Sequence, residues 1–283
     1  MILPMGRGAA GASIIAELSR LFGGSPMPPR PYVLNEANYR QLLDDRPTLA
    51  VLPWGATEAH NYHLPHGTDV IQITHMAEEA GRLAHEQGGK VVILPTVPFG
   101  NDAAQLDGQV ATIHLGTAAA LAILRDVALS LTKQEIDRLL ILNGHGANSF
   151  RPMIRDVQLE FGMLVVLVDM WELAPEVKGE TFENDGDHAD EFETSLMMHL
   201  APDLVEFDQA GPGTRVPWGI EVLDRPGVFT PRPWVEIHPD TGSGDPSKAT
   251  AAKGQAWLSA ATAAAAELMV GLSRAKKGDL PYM

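Results

Sequence analysis

The sequence predicts an α/β fold with a mostly parallel sheet and helices on both of its faces. Short apolar runs of buried-strand type lie at residues 48–53, 90–95, 138–142 and 163–169. Helical patterns lie between them, at about 70–87, 114–133 and 149–160. Strand, helix, strand in that order implies right-handed crossovers, which leave parallel strands side by side. The residues able to do chemistry gather directly after these strands, and ligands of open α/β sheets bind beyond the carboxyl ends.

Taken in order, residues 1–31 end in Pro26, Pro28, Pro29 and Pro31. Proline fixes φ and removes a donor, so this is an extended lead-in, with room for one short helix before it. A single domain is expected over residues 32–283. The first strand runs into residues 54–69, the third into 143–148, and the fourth reaches Trp171. A helix is expected from Asp187 to Leu200, then a Gly- and Pro-rich loop over 211–246. The Ala-rich stretch 247–274 reads as a long closing helix, with Pro246 before it and Ser247 as its cap.

Hydrophobic residues make up 45% and charged residues 20%, enough to bury an ordinary core. The net charge of −15 repels phosphate backbones and anionic membranes, so neither nucleic acid nor membrane is an expected partner. There is no cysteine, so any metal is held by His and carboxylates, which favours Zn, Mn or Fe. The apolar stretch near the N-terminus is short and followed by charges, a poor signal peptide, so a cytoplasmic location is expected.

Residues 58–69 pack Glu58, His60, His63, His66 and Asp69 into twelve positions. Glu58 and His60 lie two apart, so in an extended stretch both side chains point the same way. Asp69 follows a Pro and a Gly that let the chain turn back, and its two oxygens could bridge two cations. One histidine here would read as a solvated loop residue; the cluster at a strand end reads as a metal site. In Asn143-Gly144-His145-Gly146-Ala147-Asn148 the glycines allow close backbone approach, and His145 is presented at the sheet edge. In the expected helix from Asp187, His188 and Glu191 share one face, while Glu193 points elsewhere, toward a backbone or subunit contact.

Together these segments resemble the creatininase family. Its first motif, E-x-H-G-x-H-L-P-x-x-T-D, is similar to residues 58–69, and N-G-H-G-G-N to 143–148. H-A-G-E-I-E-T-S is similar to 188–195, and G-D-P-S-x-A-T-x-x-K-G to 244–254. The resemblance spans about residues 33–255. It implies a three-layer α/β/α fold and two divalent metal ions, Zn or Mn or both, with Fe as a further candidate. Glu58 and His145 would bind one ion and His60 the other, with Asp69 bridging. His188 would be the catalytic general acid, and Glu191 would orient it or complete a metal shell. Trp171 falls where creatininase stacks an aromatic on substrate, and His63 and Asp187 are assigned with it to substrate binding. A homo-oligomer, up to a hexamer, is implied.

The sequence departs from creatininase itself at Gly146, Ala147, Asn184 and Asn61, and around Asp107-Gly108-Gln109. The glutamate ligand expected two residues after His145 is Ala147, and Glu191 is the candidate to replace it. The expectation is therefore a retained metal pair in a rebuilt pocket, hydrolysing a cyclic or formyl amide other than creatinine. Two alternatives stand beside it. One is hydrolysis of a C–C bond in a cyclic polyol-derived ketone, with Asn61, Tyr62, Asn101, Asp102 and Gln105 reading hydroxyls. The other is a non-catalytic metal- or ligand-binding protein on the same fold.

Overall fold

A computed structural model describes residues 29–275 of the chain. The expected lead-in and its helix, apart from residues 29–31, lie outside the described residues. Four strands, β1 (Leu49–Trp54), β2 (Val91–Ile93), β3 (Arg138–Asn143) and β4 (Leu164–Asp169), form one sheet in the order β2-β1-β3-β4, with every pair parallel. Helix α1 (Tyr39–Asp44) precedes β1. The crossovers are α2 (Thr68–Glu86), α3 (Thr117–Lys133) and α4 (Arg151–Phe161). The chain continues through α5 (Pro175–Thr181), β5 (Gly186–His188), α6 (Glu191–Leu200), α7 (Trp234–Ile237), β6 (Ser243–Gly244) and α8 (Ala251–Arg274).

Alternate residues of the strands face two separate cores. Leu49, Val51, Ile93, Leu140 and Leu142 pack on Ile73, Met76 and Ala80 of α2 and on Trp257, Ala261 and Met269 of α8. Ala50, Leu52, Trp54, Leu139 and Ile141 pack on Leu124 and Ala128 of α3 and on Met153 and Val157 of α4. This is the expected three-layer α/β/α arrangement. Both faces of β1 and β3 are buried, which is why they read as continuous apolar runs rather than alternating ones. Each large apolar side chain so buried contributes ~1.5–3 kcal/mol, so the two cores fix where the strands end.

Helix α8 is long and apolar enough to cross a membrane by length and composition, yet half of that stretch is buried in this core. It crosses α6 so closely that a side chain at Gly254 would strike the backbone of Ser195. Its cap is Thr250, whose side chain accepts from the Lys253 N–H at 3.2 Å. The expected cap, Ser247, instead closes a turn on Asp245.

The larger correction lies near His188. The helix expected from Asp187 begins at Glu191. Residues 186–188 pair antiparallel with 243–244 instead. Ala189 then takes a left-handed φ of 48°, and Asp190 caps α6 by accepting from the Glu193 N–H at 2.9 Å.

Candidate metal centre

Register places Trp54, Asn143 and Asp169 level at the carboxyl edge of the sheet. From there β1 leads into Glu58 and His60, and β3 into His145. Asp69 sits in the first turn of α2, where the helix dipole favours a carboxylate. Asn143 holds the second segment: its Oδ1 accepts from His145 N–H at 3.2 Å, and its Nδ2 donates to Asp169 Oδ1 at 2.8 Å.

These elements bring Glu58, His60, Asp69 and His145 into one buried cluster. Asp69 Oδ1 lies 2.9 Å from His60 Nε2, and Asp69 Oδ2 lies 3.1 Å from His145 Nδ1. Glu58 Oε1 lies 2.8 Å from His145 Nδ1. The other ring nitrogen of His60, Nδ1, lies 3.0 Å from the carbonyl of Glu58 and donates there, which leaves Nε2 to face the cluster. His188 joins from β5. Its Nε2 donates to the carbonyl of Ala59 at 2.8 Å, and its Nδ1 faces Glu58 Oε1 at 3.8 Å.

The α6 carboxylate at this cluster is Glu193, not Glu191. Glu193 Oε2 lies 3.8 Å from His60 Nε2 and accepts from the Ala189 N–H at 2.6 Å. Glu191 is turned away: Oε1 receives Lys253 Nζ at 2.5 Å, and Oε2 accepts from the N–H groups of Glu183 and Asn184. The reason is the later helix start, which places Glu193 at the third helical position behind an Asp190 cap. The D-x-x-E spacing of a capping box was the signal for it.

The remaining expected residues are placed as follows. His63 is buried behind the site, its Nε2 2.9 Å from Thr194 Oγ1 and its ring edge-on to Phe207. Burial pushes it down to about 4, so it is neutral. Trp171 packs on the α2/α8 core, as do Leu173 and Val177. The indole that meets His188 is Trp234 of α7, edge-on with ring centroids 5.2 Å apart. Arg232 lies over the Trp234 ring at 4.3 Å and binds both oxygens of Asp187, at 3.2 and 2.9 Å. Burial alone would raise the Asp187 carboxyl, but Arg232 beside it holds it below the usual range. Asn61, in a left-handed conformation at φ 54°, uses its amide on the backbone of Gly211.

The donor set fits two divalent cations. Glu58, Asp69 and His145 offer one group of ligand atoms, and His60, Asp69 and Glu193 a second that shares Asp69. His188 lies within the same reach of Glu58 and His60. Both Glu58 oxygens and Asp69 Oδ2 are buried with no hydrogen-bond partner among the described residues. A buried carboxylate without a counter-charge costs several kcal/mol, so the cluster calls for cations. Protons serve in the metal-free state. Burial alone would lower His60, but Asp69 beside it carries it up to about 10. Burial pushes Glu193 up to about 8. Burial would raise Glu58, but His145 and His188 bring it well below the usual carboxylate range.

A family model, creatinine amidohydrolase, matches residues 34–269. The chain belongs to the creatininase family. A solved structure of creatinine amidohydrolase type from Bacteroides fragilis NCTC 9343 is 36% identical, with a TM-score of 0.81 over 86% of this chain and 97% of that one. A mycofactocin precursor peptide peptidase of Mycobacterium ulcerans is 28% identical over 78% of this chain and 84% of its own length. A creatinine amidohydrolase of Pseudomonas putida is 27% identical over 62% of this chain and 74% of its own. Creatininases solved in a Zn-Zn form and with Mn share the fold at 21% identity. In this creatininase-family member position 147 is an exposed alanine, and the carboxylate beside His60 comes from α6. Gly146 is exposed, and an added Cβ there would meet nothing within 4 Å.

Proposed function

We propose that this creatininase-family hydrolase cleaves an amide C–N bond in a small molecule other than creatinine, with two divalent ions. The observation that carries the proposal is the pair of ligand groups joined by Asp69, with the Nδ1 of His188 beside them. Bound divalent ions would lower the pKa of a coordinated water toward ~7 and polarise the carbonyl under attack.

The protein's own residues supply the rest. Glu58, Asp69 and His145 would hold one ion, and His60, Asp69 and Glu193 the other. Burial pushes His188 below its ordinary pKa, so it enters the reaction neutral. Its Nε2–H is committed to Ala59, which leaves Nδ1 to take a proton and then deliver it to the leaving nitrogen. Trp234 packs edge-on against His188, which is itself buried. Support for the C–N bond comes from the two relatives whose names denote amide or peptide cleavage. The ring-ketone alternative is weakened because Asn61, one of its hydroxyl readers, is spent on Gly211.

The test is product analysis on a panel of formyl amides, cyclic amides, short peptides and cyclic polyol ketones, using the metal-loaded protein. Release of an amine with a carboxylate supports the proposal. Turnover confined to the ketones would replace it.

A further inference from the structure

We infer that Asp102 is a positioning residue for the metal centre: it accepts the Nε2 proton of His145 and so turns the Nδ1 lone pair toward the ion held with Glu58 and Asp69. This rests on the two-metal reading above.

His145 stands between two sets of carboxylate oxygens. Nδ1 faces Glu58 Oε1 at 2.8 Å and Asp69 Oδ2 at 3.1 Å, while Nε2 faces Asp102 Oδ1 at 3.1 Å. A neutral imidazole carries one proton. On Nδ1 it would point at the oxygens that are to bind the ion, and the Nε2 lone pair would face a buried carboxylate. On Nε2 it meets Asp102, and Nδ1 is free to bind. Ligating histidines commonly give their other N–H to a carboxylate, which fixes the tautomer and raises ligand basicity.

Asp102 is built for this and has no other task among the described residues. Its carboxylate is fully enclosed, and neither oxygen has a hydrogen-bond partner elsewhere. The pair with His145 Nε2 is close without being aligned as a hydrogen bond, as is common for site contacts that tighten when the ligand arrives. The Asp102 N–H donates to His114 Nδ1 at 3.1 Å, which fixes its backbone. At Gly100 a Cβ would lie 2.6 Å from His145 Cδ2 and 2.8 Å from Ala56. Only glycine lets this segment pass over the ring edge and bring Asp102 to Nε2.

The test titrates zinc and manganese ions into metal-free wild type, Asp102→Ala and Asp102→Asn against a competing chromophoric chelator. It also records the melting temperature of each metal-free protein and the imidazole nitrogen signals of each zinc-loaded one. Asp102→Ala should weaken one of the two ions by ~10–100-fold and spare the other. Asp102→Asn keeps an acceptor oxygen and should recover most of the loss. The metal-free Ala variant loses the Asp102–His145 contact and should melt somewhat lower than wild type, and the metal-free Asn variant should melt between the two. The His145 Nε2–H signal of the zinc-loaded protein should lie downfield in wild type, where the proton meets a carboxylate, and move upfield in the Ala variant, where it does not. Wild-type affinity for both ions in Asp102→Ala would overturn the inference. So would an Asn variant as defective as the Ala variant, which would make Asp102 a ligand, or an equal loss of both ions in the Ala variant, which would make it a strut for the whole centre. If wild type itself takes up no ions, the two-metal reading fails first.

Discussion

Asp69 offers its two oxygens to two different histidines, Oδ1 to His60 Nε2 at 2.9 Å and Oδ2 to His145 Nδ1 at 3.1 Å. One carboxylate thus joins both halves of the centre and, with two cations bound, would screen their repulsion. Asp69→Ala should therefore lose both ions, while His60→Ala should lose mainly one. Elemental analysis of the two purified variants decides this, and equal stoichiometry in both would refute the bridging role.

Glu193 and Glu191 should separate cleanly. Glu193→Gln removes a carboxylate beside His60 and should cost one ion, with the fold retained. Glu191→Gln disturbs the contacts to Lys253, Glu183 and Asn184 and should leave both ions in place. Its cost is stability, ~1–3 kcal/mol for a buried, charge-assisted hydrogen bond. Metal content and melting temperature, read together, check both. Loss of metal from the Glu191 variant would reinstate it as a ligand.

The sequence makes the metal cluster legible and misplaces its partner for a definite reason. Glu58 and His60 are readable because their spacing of two survives in any extended segment. His145 is readable because a buried strand followed by Gly-His-Gly presents it at the sheet edge. Glu193 is obscured because the left-handed Ala189 and the pairing of 186–188 with 243–244 delay the helix, which rotates every later side chain. The same pairing takes His188 off the helix altogether. The parallel sheet and its three layers follow from apolar runs that are buried on both faces. Asp102 and Trp234 carry no periodic or motif signal. Contacts distant in sequence show their roles: His145 for the first and His188 for the second.

pH should act oppositely on metal-free stability and on metal binding. His60, raised from an ordinary 6.5 to about 10, contributes stability that is full below 6.5 and lost as pH rises toward 10. Glu193, raised from 4.5 to about 8, adds a second loss that runs from about 4.5 up to about 8. Ions must displace both protons, so their affinity rises over the same window. The gap in melting temperature between loaded and chelated protein should widen from about pH 6 to about pH 9. A constant or narrowing gap would contradict the assignment of these groups as ligands.

His188 is assigned the proton transfers. His188→Gln should keep both ions and the fold, and lose turnover by ~10²–10⁴-fold. The loss should shrink for amides with better leaving groups, which need less protonation. Because His188 lies within ligand reach of Glu58 and His60, metal content must be measured on the same sample. A variant short of one ion, with a loss indifferent to the leaving group, would make His188 a ligand instead.

The most direct measurement is metal content per chain, followed through chelation and reconstitution alongside amide hydrolysis. The account predicts two divalent ions per chain, loss of hydrolysis as they are removed, and its return with zinc or manganese. Full hydrolysis by protein verified to be metal-free would contradict it.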